Sequence, residues 1–272
     1  MEILFCGTAA AEGWPALFCI CEACTRAREI GGKEVRSRAA YMLGDRIRVD
    51  FGPDSNLHQQ KYGLSYGKLE HLLVTHSHDD HWFVQDLGYR RNGFSVIPET
   101  ALKVWGNEKV ASKITNTLGG DWARYGLEFH QLRAFESIDL GNGVAATPLI
   151  AAHDRSEECV NYLIEADGRR TLLGHDTGWY SDATWNFLND KPLNLVVLDC
   201  THGTDDHEPN HLGGAVLARF RDELGHRGAL ASDAVCIATH FSHNGGALHT
   251  ELERFFTPLG FQVAYDGMKV SP

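Results

Sequence analysis

The sequence has no long apolar run and no recognisable targeting segment. Nowhere in its 272 residues do apolar side chains approach the ~18 consecutive positions that a membrane-spanning helix needs. The opening stretch from Met1 to Gly7 lacks basic side chains, and its apolar run is too short for a signal peptide. We therefore expect a cytoplasmic protein that has no membrane partner.

Positive charge is also scarce. Lysine and arginine together number 25 against 36 aspartates and glutamates, which gives a formal net charge of −11. Proteins that bind long nucleic acids do so by neutralising phosphates with Lys and Arg side chains. This balance predicts that no long nucleic acid is bound. The sequence leaves the oligomeric state open, a homodimer included.

The cysteines lack the even, spread pattern of a secreted disulfide framework. There are seven of them; Cys19, Cys21 and Cys24 lie within six residues and the other four are scattered. Such a set fits reduced thiols better than disulfides. No linker, repeat or low-complexity tract divides the chain, so we predict one domain over residues 1–272. A chain of this length can bury a substantial core.

Short β-type runs alternate with helical segments along the whole chain, which predicts an α/β fold with sheets covered by outer helices. Helices are predicted after Glu22, Trp82, Asn107, Ser181, His211 and Leu248. Hairpin turns are predicted at Leu43-Gly44-Asp45 and Ala166-Asp167-Gly168. The predicted strands are Glu2–Cys6, Ala39–Leu43, Ile47–Phe51, His71–Thr75, Leu102–Trp105, Val144–Ala151, Cys159–Glu165, Arg170–Leu173, Leu193–Asp199, Val235–Ala238 and Phe261–Tyr265.

Fifteen histidines are many for this length, and several occupy one motif, His76-Ser77-His78-Asp79-Asp80-His81. Two histidines two positions apart on a tight loop can face one ion, and the following Asp80 and His81 can turn toward a second. Imidazole with carboxylate suits Zn²⁺, Mn²⁺ or Fe. Four predicted apolar strands end in or near a ligand-type residue, namely His76, His153, Asp176 and His240. Strand ends of this kind build a site at one edge of a sheet.

The motif and its surroundings resemble the metallo-β-lactamase superfamily. The resemblance extends over Val49-Asp50-Phe51-Gly52, His153, Gly174-His175-Asp176-Thr177-Gly178 and Ala238-Thr239-His240. It implies an αββα sandwich in which Asp176 bridges two divalent ions. It implies that His76, His78 and His153 hold one ion and that Asp80, His81 and His240 hold the other. Asp50 is implied to orient the motif loop, and we expect His175 to be structural.

Three cysteines in one loop predict a structural zinc, because zinc prefers four tetrahedral ligands and thiolates close such sites. Cys6 is one candidate for the fourth ligand. The segments around Cys19, Cys21 and Cys24 also resemble one branch of the superfamily. That branch includes the phosphodiesterase that accompanies carbon–phosphorus lyase and a pyrroloquinoline quinone biosynthesis protein. The phosphodiesterase implies His243 as the fourth ligand, and we place it ahead of Cys6.

Two divalent ions carry +4, and Asp80 and Asp176 offset two charges, so the bare site keeps about +2 and favours an anionic substrate. We therefore expect hydrolysis of small or cyclic phosphodiesters by a hydroxide shared between the ions. Asp80 counts among the catalytic residues. The resemblance to the phosphodiesterase implies His211 as the first candidate for the general acid; His202 is the second and His207 the third.

Two other functions fit the same residues. One is hydrolysis of a lactone, thioester or β-lactam at the same pair of ions. The other is a non-catalytic role in cofactor biosynthesis, as in the quinone-biosynthesis branch, which the resemblance implies lacks a complete motif. The complete motif here favours a hydrolase. After the motif, Trp82-Phe83-Val84 replaces the glycine-containing segment of many family members, which we expect to change the substrate pocket.

Overall fold

Fourteen strands and six α-helices form the structure, a computed structural model that describes residues 1–272. The strands are β1 (Ile3–Gly7), β2 (Ala40–Leu43), β3 (Ile47–Val49), β4 (His71–Leu73), β5 (Leu102–Gly106), β6 (Leu127–Gln131), β7 (Ile138–Asp139), β8 (Ala145–Ile150), β9 (Val160–Ala166), β10 (Arg169–Gly174), β11 (Leu193–Asp199), β12 (Leu230–Thr239), β13 (Phe261–Val263) and β14 (Lys269–Val270). The helices are α1 (Glu22–Ile30), α2 (Ser55–Tyr62), α3 (Glu108–Leu118), α4 (Asp182–Leu188), α5 (Val216–His226) and α6 (His249–Phe256).

The strands form two seven-stranded mixed sheets. The first has the order β14-β1-β2-β3-β4-β5-β6, and the second has the order β13-β12-β11-β10-β9-β8-β7. Neighbours from β3 to β6 are parallel, as are neighbours from β10 to β13. Because parallel strands end at the same edge of a sheet, each sheet presents one row of strand ends and the loops that follow them.

Apolar side chains fill three separate layers. A cluster of 20 buried residues lies between the sheets and includes Phe5 from the first and Leu195 from the second. A cluster of 30 joins the outer face of the second sheet to helices such as α5, through Phe220. A cluster of 17 joins the outer face of the first sheet to α3, through Val110. Three layers of core mean helix, sheet, sheet and helix, so the predicted αββα sandwich is confirmed.

The central strands are buried on both faces. Along β11, Leu195 and Val197 point into the layer between the sheets, whereas Val196 and Leu198 point toward the outer helices. Side chains of a strand alternate between its faces, so a strand covered on both sides needs a continuous apolar run. This explains why the sequence Leu193–Asp199 has no polar–apolar alternation.

The hairpin predicted between β9 and β10 is present. Ala166 pairs with Arg169, and the two residues between them, Asp167 and Gly168, have φ values of 55° and 73°. Positive φ at both central residues is the geometry of a type I′ turn, which matches the right-handed twist of the strands. Asp-Gly tolerates it at low cost, so the prediction from sequence is confirmed.

The helix predicted after Trp82 is wrong. Trp82 forms a β-bridge with Phe51, and Phe83 N–H donates to the Phe51 carbonyl at 2.7 Å, so the chain is still extended there. Only a 3₁₀ segment, Val84–Tyr89, follows. Helix α2 and strands β6, β7 and β14 were not predicted. In α2 the buried positions are polar, Ser55 and His58, so no apolar periodicity marks the helix.

None of the helices combines the length and the apolar character needed to cross a membrane. All seven cysteines are free thiols.

Candidate metal centre

The candidate ligands converge because the strands that precede them end at the same edges. Strands β3 and β4 lead into Asp50 and His76 in the first sheet, and β10 and β12 lead into Asp176 and His240 in the second. Strand β8, which precedes His153, runs in the same direction as β10 because both are antiparallel to β9. Residues far apart in sequence therefore meet between the two sheets.

The first group brings together the residues predicted for one ion, His76, His78, His153 and Asp176. His78 Nδ1 lies 3.0 Å from His76 Nε2 and 3.3 Å from His153 Nε2, and His76 Nε2 lies 3.3 Å from Asp176 Oδ2. Ligands bonded at 2.0–2.2 Å to a tetrahedral zinc are about 3.3 Å apart. The spacing of the four side chains therefore fits a single ion among them.

The second group brings together the residues predicted for the other ion, Asp80, His81, Asp176 and His240. His81 Nε2 lies 3.0 Å from Asp80 Oδ2 and 2.9 Å from Asp176 Oδ2, and His240 Nε2 lies 3.8 Å from Asp176 Oδ2. Asp176 belongs to both groups. Its position is the one that a shared ligand would need.

Three atoms of this region are buried without a hydrogen-bond partner: His81 Nε2, His240 Nε2 and Asp176 Oδ1. Leaving a buried polar atom unsatisfied costs about 1–3 kcal/mol, so native structures seldom do so without a reason. All three atoms are metal-ligand types in the proposed ligand groups. A bound cation would satisfy them, and the donor set fits Zn²⁺ or Mn²⁺.

Asp176 is a fully buried anion among histidines. Burial alone would raise the pKa of Asp176, but His240, His81 and His76 hold it well below its ordinary value. The carboxylate therefore stays ionised, as a metal ligand must.

Three of the eight non-glycine residues with positive φ lie at this edge. Asp50, Asp176 and His240 have φ values of 60°, 59° and 60°, in the left-handed region that residues with a Cβ rarely adopt. Each such residue costs about 1–3 kcal/mol and persists only where its surroundings enforce it. At Asp176 the neighbouring backbone is held by Asn161, whose Nδ2 donates to the His175 carbonyl at 2.7 Å.

Asp50 holds the motif loop in place through hydrogen bonds. It accepts hydrogen bonds from Thr75 N–H at 2.9 Å and from His81 Nδ1 at 2.7 Å. The carboxylate thus fixes the His81 ring and leaves Nε2 of that ring facing Asp176. Such contacts orient a metal-ligating histidine and set its tautomer. His175, predicted to be structural, contacts the same carboxylate through Nε2 at 2.8 Å.

His78 has a comparable partner that sequence reasoning missed. Its Nε2 lies 3.3 Å from Asp154 Oδ2, while Nδ1 faces His76 and His153. Asp154 is itself held by the Ser156 backbone N–H at 2.8 Å and the Ser156 hydroxyl at 2.7 Å. The only signal in the sequence was its place directly after His153.

His211 lies at the centre, whereas His202 lies further out. His211 Nδ1 is 2.9 Å from Asp199 Oδ2 and 3.2 Å from Asp176 Oδ1. The ring of His202 has its centroid 6.3 Å from that of His211 and stacks on His207 at 3.7 Å. Of the three candidate acids, His211 is therefore the one in direct contact with the Asp176 carboxylate.

Asp199, which the sequence analysis missed, controls His211. It is fully buried at the end of β11 and also accepts from the Thr201 and Leu212 backbone N–H groups, at 2.8 and 3.0 Å. Burial lowers the pKa of His211, but the Asp199 carboxylate outweighs it and raises that pKa to about 9. Asp199 ends an apolar strand, as the predicted ligands do, and that signal could have found it.

The cysteine cluster is a separate group on the other side of His240. Cys19, Cys21, Cys24 and His243 lie together, with His243 Nδ1 3.6 Å from Cys19 Sγ and 3.5 Å from Cys21 Sγ. Cys21 caps α1, and the hydrogen bond that its sulfur accepts from the Cys24 N–H lowers its pKa to about 6. Cys6 is buried in β1, near Arg48, and is not part of the group.

Because three ligand atoms of the centre have no hydrogen-bond partner, we expect metal binding to stabilise the fold. Adding Mn²⁺ to metal-free protein should raise its melting temperature, because an ion that binds only the folded state stabilises it by about 4 kcal/mol at 1,000 times its dissociation constant. Thiolates select Zn²⁺ over Mn²⁺, so the cysteine cluster should contribute little to this shift. Asp176→Ala removes the residue shared by both groups and should lose most of that shift, whereas His226→Ala on α5 should keep it. Differential scanning calorimetry measures the effect; equal metal-induced shifts in wild type and Asp176→Ala would contradict the arrangement.

Similarity to known proteins indicates the family of this chain. A family described as the beta-lactamase superfamily domain matches residues 45–241, which include every ligand candidate of the histidine centre and exclude the four residues of the cysteine cluster, Cys19, Cys21, Cys24 and His243. Ribonuclease BN of Cronobacter sakazakii (strain ATCC BAA-894) is 33% identical over 110 residues. That match covers 39% of this chain and 34% of the ribonuclease, so the chain spans about a third of the length of that relative.

Two solved structures share the fold over nearly their whole length. A diphosphatase from the PhnP family is 22% identical, with a TM-score of 0.75 over 99% of this chain and 96% of that one. Zn²⁺-bound PqqB from Methylobacterium extorquens is 17% identical, with a TM-score of 0.79 over the full length of both. The family match extends over most of the sequence, and the two-sheet sandwich carries histidine and aspartate clusters at its edge. The chain therefore belongs to the metallo-β-lactamase superfamily of metal-dependent hydrolases.

Proposed function

We propose that the chain hydrolyses small phosphodiesters at a centre of two divalent ions. His76, His78 and His153 would hold the first ion, Asp80, His81 and His240 the second, and Asp176 both. The observation that supports this most directly is Asp176, whose two oxygens face both groups of ligands. Bound ions would supply Lewis-acid charge for an anionic phosphoryl group and for activation of water.

The charge of the centre favours an anionic substrate. Among the seven proposed ligands only Asp80 and Asp176 are anionic, so two divalent ions leave about +2. The protein as a whole carries −11, which repels long polyanions. A short diester can reach a locally positive centre at lower electrostatic cost than a polymer that also lies along the surface.

His211 is suited to protonate the leaving oxygen. Its Nδ1 faces Asp199, so Nε2 is the atom that remains for proton transfer. The buried Asp199 carboxylate beside Nδ1 favours the protonated ring, which is the form a general acid requires. Asp199 acts through His211 and would fix the direction in which the proton is presented.

The proteins that resemble this chain support phosphorus–oxygen chemistry over acyl transfer. A diphosphatase and a ribonuclease both act on bonds between phosphorus and oxygen, and both are among the similar proteins. The likeness to PqqB is one of fold, and the complete set of seven ligands here favours a hydrolase.

The cysteine cluster is proposed to hold one structural zinc through Cys19, Cys21, Cys24 and His243. Four ligands without an open position are typical of a structural site. Because His243 follows His240 by three residues, this zinc would anchor the loop that carries a ligand of the second ion to the start of α1.

Metal analysis tests both parts of this arrangement. Protein purified without chelator should approach three metals per chain, and Cys21→Ala should lose one zinc and melt at a lower temperature because the cluster then has three ligands. Cys236→Ala, which alters a buried cysteine outside the cluster, is the control and should keep all three. A wild-type protein with one metal or none after reconstitution would refute the constellation.

The choice of substrate is a second test. Small or cyclic phosphodiesters should be cleaved with a higher kcat/KM than structured RNA, since the repulsion by a net charge of −11 grows with the length of the polyanion. Initial rates for both substrates at fixed metal and low salt give the comparison. Efficient cleavage of structured RNA with small diesters untouched would mean that the ribonuclease likeness extends to the substrate.

Leaving-group dependence tests the general acid. His211→Ala should lower kcat by ~10²–10⁴-fold on a diester with an alkoxide leaving group and far less on a nitrophenyl diester, whose leaving oxygen needs no proton. His202→Ala is the matched control. Selective loss in the His202 variant alone would move the role to His202, and equal loss on both substrates would mean that His211 binds phosphate instead.

A further inference from the structure

His175 makes a polar contact that the proposed function does not use. Its side chain is fully buried, and its Nε2 lies 2.8 Å from Asp50 Oδ2. The same oxygen lies 2.7 Å from His81 Nδ1. Two imidazoles therefore share one carboxylate oxygen, and only one of them, His81, is a proposed metal ligand.

Three side-chain contacts link His175 to Asp176. His175 contacts Asp50, Asp50 contacts His81, and His81 Nε2 lies 2.9 Å from Asp176 Oδ2. Asp176 is the residue after His175, so the chain itself completes the ring. The distance between the bridging carboxylate and the His81 ring is thus set from both ends.

The main chain of His175 is fixed as firmly as its side chain. Asn161 Nδ2 donates to the His175 carbonyl at 2.7 Å, and Tyr180 Oη donates to Asn161 Oδ1 at 2.7 Å. These contacts lie next to Asp176, whose φ is 59°. The backbone directly before this ligand is therefore held in place.

Only one nitrogen of the His175 side chain, Nε2, makes a polar contact. Its Nδ1 has no hydrogen-bond partner, and its ring packs edge-on against the ring of Tyr41 with centroids 4.9 Å apart. Nε2–H is then the donor to Asp50. His81 must carry its proton on Nδ1 to offer the Nε2 lone pair to an ion, and it does so only while Asp50 stays an oriented acceptor. A second donor on the same oxygen holds Asp50 there.

We propose that His175 is a positioning residue for the second ion, acting through Asp50 on His81. An apolar side chain of similar size would fill the same space but could not donate to Asp50. The proposal rests on the metal-ligand roles proposed above and not on the identity of the substrate.

Three variants separate the hydrogen bond from packing. His175→Gln keeps an N–H near the position of Nε2, His175→Asn is one methylene too short to reach Asp50, and His175→Leu removes the donor. His58→Gln is the control, because His58 is equally buried and hydrogen-bonded to Ser37 Oγ at 2.7 Å, outside both ligand groups.

The measurement is the dissociation constant of each ion in stepwise Co²⁺ titrations, followed by visible absorption with a competing chelator, together with thermal unfolding of the metal-free protein. We expect the second ion to bind 10–100-fold more weakly in the Leu and Asn variants, the size of effect usual for lost partners of metal ligands. The first ion should be unaffected in both. The Gln variant and His58→Gln should lie within about threefold of wild type.

Equal affinity for the second ion in all variants, or a loss in Gln as large as in Leu, would overturn the proposal, since His175 would then only fill space. If His175→Leu does not fold, the Gln and Asn pair makes the same comparison. A wild-type protein that takes up no second ion would overturn this proposal and the dinuclear centre together. Normal ion binding without diester turnover would refute only the proposed substrate.

Discussion

Asp176 is a carboxylate buried between two sheets with nitrogens of five histidines within 3.8 Å of its oxygens. A buried charge is costly unless it is paired and hydrogen-bonded, so this carboxylate needs positive charge close to it. Bound cations would account for the arrangement, because they would neutralise the buried carboxylate and coordinate the crowded side chains. The strained backbone at Asp50, Asp176 and His240 serves the same end, because it directs side chains from three strand ends to one point.

Two further carboxylates support this centre, one from each sheet. Asp50, after β3, holds His81 and His175, and Asp199, at the end of β11, holds His211 and lies 3.6 Å from His240 Nδ1. Both are fully buried and accept backbone N–H groups as well as imidazoles. Asp50 leaves His81 Nε2 facing Asp176, and Asp199 leaves His211 Nε2 as the nitrogen available for proton transfer, so these two carboxylates decide what the two histidines can do.

The strand pattern predicted eleven of the fourteen strands, because strands buried on both faces leave apolar runs that propensity alone can detect, whereas the αββα order was implied by the family resemblance. It also predicted the residues that meet at the centre, because ligand types at strand ends form a pattern. It missed Asp199, although Asp199 ends an apolar strand as the predicted ligands do, and it missed Asp154, whose contact with His78 is visible only in three dimensions. Helix α2 was missed because it buries Ser55 and His58 rather than an apolar stripe, and the helix after Trp82 was wrong because pairing with Phe51 keeps the chain extended.

The cysteine cluster has a topological consequence. Cys21 and His243 are separated by 222 residues, so an ion held between them would close most of the chain into a ring. In the loop-closure description of cross-links, a ring of that size removes about 5 kcal/mol of chain entropy from the unfolded ensemble. A single proteolytic cut anywhere inside the ring would leave two fragments that are still joined at the cluster. After a cut in a surface loop, the metal-bound protein would therefore remain one molecule. The same chain without that ion would lose this link between the two fragments.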